Sequence, residues 1–186
     1  MAAPVESLQI ENVVTSTGID QELDLDVLVD DLDNSEYNRD QFPGLIYRSQ
    51  SPAATSLLFR SGTIVSTGAS SRAASREAVT QLFEELRSLG MDVPAEPELT
   101  VQNVVSSGDL GQDLNLNAVA IGLGLEHVEY EPEQFPGLVY RLDDMDTVAL
   151  LFGSGRVVIT GAVSVEEAEE TVTKVHSELT DLELMD

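Results

Sequence analysis

One run of residues occurs twice. Gln41 to Arg48 reads QFPGLIYR, and Gln134 to Arg141 reads QFPGLVYR. A second block keeps the same spacing: LLFRSG and then TGA between Leu57 and Ala69, LLFGSG and then TGA between Leu150 and Ala162. From Glu36 to Ala69 against Glu129 to Ala162, 18 of 34 positions are identical without a gap. Chance does not produce that, so the chain is a tandem duplication, with residues 1–93 and 94–186 as its copies. Whatever fold it adopts must be one that half of the chain can form and the other half can repeat.

The local signals are the same in both copies. Ile10 to Thr17 (IENVVTST) and Val101 to Ser107 (VQNVVSS) are rich in β-branched residues and read as strands. Asp24 precedes LDVLVDDL, and Asn115 precedes LNAVAIGL. Each is a helix-capping residue ahead of a short helix. The second copy carries two extra residues after that helix. Phe-Pro-Gly then interrupts regular pairing, because proline lacks a donor and glycine admits unusual backbone angles. It reads as a turn into the strand LIYRS or LVYRL. Ser56 to Arg60 and Ile64 to Gly68 form a hairpin around Ser61 and Gly62. A three-residue loop is expected to set Phe59 opposite Val65 and Leu57 opposite Thr67, with all four on one face. Leu58 and Ile64 then take the other face.

A long helix closes each copy. Ser71 starts the first, with Val79, Leu82, Phe83, Leu86 and Leu89 at helical spacing and Gly90 at its end. Ser164 and Glu167 form a capping box for the second, whose apolar stripe is Ala168, Val172, Val175, Leu179 and Leu182. Met91 to Glu98 reads as the linker. Each copy is thus strand, helix, four strands, helix: an α+β unit with an antiparallel sheet. Its helices can cover one face of that sheet. The other would ordinarily be polar, yet both faces of the hairpin strands are largely apolar. An uncovered apolar face marks a binding surface. Because it is duplicated, it suits a partner that looks alike from both halves, such as a nucleic acid duplex.

Composition narrows the chemistry. There is no cysteine, so disulfides, thiolate nucleophiles and sulfur-ligated metals are excluded. No apolar run is long enough to span a bilayer, and the N-terminus lacks the basic start and apolar centre of a signal peptide. A cytoplasmic protein is expected. Nine basic residues face 34 acidic ones, for a net charge of −25, and Lys174 is the only lysine. Both copies share the excess, −9 and −16, so the acid is a property of the whole surface and not of a tail. That pattern fits a protein built for molar salt, where screening shortens to about 3 Å. No phosphate-binding glycine loop, nucleophile elbow or zinc-binding helix motif occurs. His127 and His176 have no partner at metal-ligand spacing. No catalytic residue, cofactor or metal is expected.

The repeated QFPGL(I/V)YR, LLF-x-SG, TGA and NVV motifs resemble the TATA-binding protein family, from about Leu8 to Leu182. Within it they are most similar to the archaeal form of a halophile. The resemblance implies a saddle, with a curved ten-stranded antiparallel sheet beneath and four helices on the convex face. It also implies binding in the minor groove of promoter DNA at the TATA box, for which this family is the standing example among sheet readers. By matching positions, Phe42 with Phe59 and Phe135 with Phe152 are the intercalating pairs. Asn12, Asn103, Thr67 and Thr160 address the acceptors of A·T pairs. Val14, Val105, Leu57, Leu150, Val65 and Val158 supply apolar contact. Arg48, Arg141 and Arg156 face phosphates. Glu131 and Glu133, in YEPEQFPG, match the contact with transcription factor B, through which RNA polymerase is recruited. The first copy reads YNRDQFPG, with Arg39 where the second has Pro132, so the two ends differ chemically. Thr63 stands where the family carries a base and Arg156 keeps one; Ser70 and Val163 replace two more. Phosphate contacts are therefore few. The alternative is a duplicated TATA-binding-like module accessory to an enzyme, and a homodimer burying the free face could exist off DNA.

The charge yields a prediction. DNA-binding proteins that release cations through Lys and Arg weaken as salt rises. Here few bases meet the polyanion, acidic repulsion is screened by salt, and apolar contacts strengthen. Affinity for a TATA duplex should rise from sub-molar to multimolar potassium chloride. Equilibrium binding, with folding checked by circular dichroism at each point, decides it. A steady fall in affinity of a folded protein overturns this account of the acidity.

Overall fold

The computed structural model describes residues 3–186. The chain forms two compact units: Asn12–Gln102, and Asn103–Asp186 with the N-terminal segment through Glu11. Each has the predicted order. The first contains β1 (Gln9–Gly18, which begins just ahead of it), α1 (Leu25–Asp31), β2 (Ser35–Glu36), β3 (Leu45–Gln50), β4 (Ala53–Leu58), β5 (Thr63–Ala69) and α2 (Arg72–Ser88). The second contains β6 (Thr100–Asp109, likewise), α3 (Leu116–Leu123), β7 (Val128–Glu129), β8 (Leu138–Arg141), β9 (Val148–Leu151), β10 (Arg156–Ala162) and α4 (Val165–Asp181). A 3₁₀ turn at Pro4–Ser7, which no sequence signal announced, packs on α4. The described residues thus hold ten strands and four α-helices, as expected. The strand orders are β2-β3-β4-β5-β1 and β6-β10-β9-β8-β7, with antiparallel pairing. No helix among them is long and apolar enough to cross a membrane.

Caps start the helices where the sequence placed them. Side chains of Asp24, Asn115, Ser71 and Ser164 accept from the backbone N–H of Val27, Ala118, Ala74 and Glu167. Glu167 reaches back to the Val163 N–H at 2.9 Å. The helices then bury one stripe each. Val79, Leu82, Phe83 and Leu86 of α2 pack on Leu45, Tyr47, Leu58 and Ile64. In the second unit Ala168, Val172, Val175 and Leu179 are fully buried, as are Leu138, Leu151, Val157 and Ile159. Two residues assigned to these stripes fall outside them. Leu89 and Leu182 lie beyond the last helical turn, where the chain has left the sheet, and both are exposed. The stretch Met91 to Glu98 joins α2 to β6 without regular structure, as expected of the linker, but it is pinned in place. Val93 and Pro97 are buried, and Arg87 and Arg76 of α2 donate to the Pro94 and Pro97 carbonyls.

The hairpin register corrects another expectation. Leu57 pairs with Val65 and Thr55 with Thr67, so Phe59 lies across from Thr63 and not Val65. The loop is Arg60-Ser61-Gly62, and its last residue must take φ +91°. Only Gly62 can do so. A side chain there would also collide with the carbonyls of Ile19 and Gln21. The glycine therefore sets the loop one residue earlier than its centre of symmetry suggested. A shift of both strands keeps the parity, so Leu57, Phe59, Val65 and Thr67 still share a face.

One tie between helix and sheet is titratable. The Tyr47 hydroxyl donates to Glu85 at 2.9 Å, and that of Tyr140 to Glu178 at 2.6 Å. Burial, then the hydrogen bond and the charge of Glu85, push the Tyr47 phenol up to about 12; the same causes raise Tyr140. An unfolded tyrosine ionises near 10. Below about pH 10 both states keep the proton and the full stabilisation holds. Above it the unfolded chain loses its proton first, so stability falls as pH approaches 12. The stability advantage of wild type over Tyr47→Phe should therefore be constant to about pH 10 and shrink by about pH 11. Urea titrations at both ends of that range test this; an advantage that does not shrink means the phenol ionises as freely folded as unfolded.

Candidate nucleic-acid interface

The face opposite the helices is built in rows. In the first unit Ile46, Leu57 and Val65 lie side by side across β3, β4 and β5, and Arg48, Thr55 and Thr67 form the next row. In the second unit the rows are Val139, Leu150, Val158 and Arg141, Val148, Thr160. These apolar residues are half-buried, while Leu58, Ile64, Leu151 and Val157, one position along, are completely buried. Alternation along a strand thus delivers one residue to the core and the next to this face. Val14 and Val105 share the half-buried state. Ile46, Val139, Thr55 and Val148 belong to the surface too. Sequence reasoning missed them, although their parity with Arg48, Arg141, Leu57 and Leu150 was the available signal.

The phenylalanines meet at the edge of each face. The rings of Phe42 and Phe59 are 5.9 Å apart at 65°, and those of Phe135 and Phe152 are 5.9 Å apart at 73°. Both are edge-to-face contacts, the geometry that aromatic quadrupoles favour. The turn is fixed from behind. The Asn38 carbonyl accepts from the N–H of Gln41 and Phe42, and the Glu131 carbonyl from those of Gln134 and Phe135. The glycine of Phe-Pro-Gly serves the rings. A β-carbon on Gly44 would stand 2.9 Å from Phe42 and 3.1 Å from Phe59; one on Gly137 would stand 2.8 Å from Phe135 and 2.9 Å from Phe152. Neither glycine has positive φ, so the constraint is space and not backbone angle. Phe135 remains 40% exposed, a large apolar area for a ring with no core function.

At the other side of each face stands an amide. Asn12 Oδ1 accepts from the Gly68 N–H at 2.7 Å, and its Nδ2 donates to Thr67 Oγ1 at 3.1 Å. Asn103 repeats this with Gly161 at 2.7 Å and Thr160 at 3.1 Å. The glycine N–H fixes which end of the amide is oxygen. Each Nδ2 keeps a second hydrogen that none of these bonds uses. Next to these amides the repeats diverge. Gln102 donates to Ser16 at 2.8 Å, whereas its counterpart Glu11 accepts from Ser107 at 2.5 Å.

The expected basic residues are exposed. Arg48 pairs with Glu36 at 3.0 Å and Arg141 with Glu129 at 3.6 Å, both in the open. Such pairs contribute ~0–1 kcal/mol and release their arginine easily. Arg156 opens β10 and is exposed, as is Thr63, its counterpart. Arg39 is tied to Asp26 at 2.6 Å. Glu131 and Glu133 are exposed on the second turn. His127 sits between Asp143 and Glu126. Among the described residues no cluster of three potential ligands could hold a metal ion.

Known proteins are similar to this chain in sequence and fold. The family model described as transcription factor TFIID, or TATA-binding protein, matches residues 7–89 and again 98–182. The chain is 57% identical over its full length, and the full length of the relative, to a TATA-box-binding protein of Haloarcula marismortui. It is 56% identical, also end to end, to TATA-box-binding protein E of Halobacterium salinarum. The solved structure of the Methanococcus jannaschii TBP superposes with a TM-score of 0.84 at 45% identity, covering 94% of this chain and 99% of the other.

The glycine spacing gives a prediction. Gly137→Ala should drive Phe135 away from Phe152 at a cost of about 1–3 kcal/mol. The readout is the ring-current shift of the Phe152 protons, which should collapse toward random-coil values in a protein that is still folded. An unchanged shift would falsify the packing role given to the glycine.

Proposed function

The chain belongs to the TATA-binding protein family, and from that premise we propose that it is a general transcription initiation factor that binds the TATA box in the minor groove and bends it. Its family comprises DNA-binding factors rather than enzymes. The observation that carries the reading is the same in both repeats: an uncovered apolar face with a half-exposed phenylalanine pair at one side and a clamped asparagine at the other.

The chemistry follows from these parts. Phe42 with Phe59, and Phe135 with Phe152, enter base steps and replace lost stacking with aromatic contact. Apolar rows of Leu57 and Val65, Leu150 and Val158, with Val14 and Val105, lie against sugars and base edges. Asn12 and Asn103 offer their free N–H to the acceptors that A·T pairs present in that groove, and Thr67 and Thr160 hold the amides in place. A guanine amino group would set donor against donor. Arg48, Arg141 and Arg156 exchange carboxylates for phosphates and position the duplex. Glu131 and Glu133 present a carboxylate pair to transcription factor B, which brings RNA polymerase. The first repeat has Arg39 at the matching turn, tied to Asp26 of α1, so the partner has one end to choose.

Two variants test this in one assay. Phe42→Ala and Phe135→Ala should lose most of the bend, read by fluorescence transfer between duplex ends. Their loss of stability should stay below the ~3–5 kcal/mol of a fully buried phenylalanine. Arg at both Glu131 and Glu133 should leave DNA binding and bending intact and abolish the ternary complex with transcription factor B in a mobility shift. Wild-type bending by either alanine variant removes the wedge. An undiminished ternary complex removes the carboxylate contact.

A further inference from the structure

Helix α3 buries Leu116, Val119 and Ala120, yet leaves Ile121 75% exposed; Leu125, four residues on, is 71% exposed. The end of α4 lies against it. A β-carbon on Gly122 would meet Leu184 at 2.8 Å and Leu182 at 3.6 Å, so Leu182, itself 44% exposed, extends the same apolar surface. The first repeat differs here: Val27 and Leu89 are exposed and line a shallow cavity with Met91, but it has no exposed counterpart of Ile121 or Leu125. Its α1 places Asp30 and Asp31 where α3 has Ile121 and Gly122, and Leu125 falls in the segment lengthened in the second repeat. Scattered exposed leucines need no explanation, but a run of them does. In a chain with 34 acidic residues against nine basic ones, replacing an acid by an exposed isoleucine departs from the rest of the surface. Concentrated salt makes exposing apolar area costlier.

The surrounding charge selects the occupant. Glu126 follows Leu125, and Asp181 and Glu183 flank Leu182. No lysine or arginine occurs from Leu110 to Gln134 or from Val175 to Asp186. A second copy of the chain would bring these same carboxylates against themselves. Nucleic acid and anionic lipid would bring phosphates. We propose that Ile121, Leu125 and Leu182 form a docking surface for a short segment of a partner protein, apolar on one side and carrying lysine or arginine around it. These residues are distinct from Glu131 and Glu133. At about 1 M salt the Debye length is about 3 Å, so only charges in contact with the rim contribute, while the apolar contact keeps its strength.

The probe is a fluorescein-labelled synthetic peptide that puts leucines at i, i+3, i+4 and i+7 of a helix and lysines elsewhere. Anisotropy titrations in multimolar potassium chloride compare it with a peptide of the same composition whose leucines are scattered, and with one carrying glutamates for lysines. Wild type should prefer the first peptide to both by about ten-fold. Ile121→Asp with Leu125→Asp should lose that preference, although it adds attractive charge for a basic peptide. Val27→Asp, at an exposed position of the first repeat, should keep it. Because these side chains are largely exposed, the variants should keep the wild-type circular dichroism and bind promoter DNA unchanged. Ile121→Ala with Leu125→Ala gives the same test without new charge. Equal binding by wild type and both double variants, or equal binding of the scattered peptide, overturns the proposal. So does sedimentation equilibrium showing that wild type self-associates and the variants do not, since the occupant would then be a second copy.

Discussion

Each repeat depends on strands that answer to two environments at once. Leu58 and Ile64 are completely buried beneath α2, while Leu57 and Val65, their neighbours in the same ladder, stand half-buried on the opposite face. Helix packing and the arrangement of the opposite face are therefore not separable. Slipping β4 by one residue would send the core leucine outward and the outward one into the helix. The register that α2 enforces by burying its stripe is the register that lines up Ile46, Leu57 and Val65 on the other side. The same holds for α4 and the row Val139, Leu150, Val158. Phe59 and Phe152 sit just beyond the last core residues of β4 and β9, so the aromatic pairs inherit their position from the same packing.

Much of this was legible before any coordinates. The duplication fixed the number of units, the capping residues fixed the helix starts, and strand parity assigned faces. What failed did so for local reasons. The hairpin register required knowing which loop residue takes positive φ, and a Ser-Gly pair does not say so until Gly62 is placed against Ile19 and Gln21. Helical periodicity carried Leu89 and Leu182 into the core because a period has no end point; the backbone leaves the helix first. Met91 to Glu98 does join the repeats as its composition says; what composition does not show is that two arginines of α2 capture its carbonyls. In the site, the family resemblance pointed to the four phenylalanines and two asparagines, which the structure sets in matching pairs. The role of Gly44 and Gly137 did not, because Phe-Pro-Gly reads as a turn motif and gives no hint that the missing side chain makes room for two rings.

The charge is distributed with the same economy. Two of the bases on the apolar face are held in open ion pairs, Arg48 with Glu36 and Arg141 with Glu129. The two repeats then differ at chosen points. Glu11 replaces the amide of Gln102, Arg39 replaces Pro132, and Asp30 replaces Ile121. A duplicated scaffold can diverge in this way because none of these side chains belongs to the stripe that sets the register. Symmetry in the core leaves the surface free to become asymmetric.

The clamp on the asparagines has one more consequence. Asn12 cannot turn its amide over without giving up the Gly68 N–H, and Asn103 is bound likewise to Gly161. A free carboxamide is ambivalent, able to greet a donor or an acceptor by a half-rotation. These two have been made unambivalent by their own backbone. They present the same hydrogen to every molecule that reaches them, an answer they can no longer change.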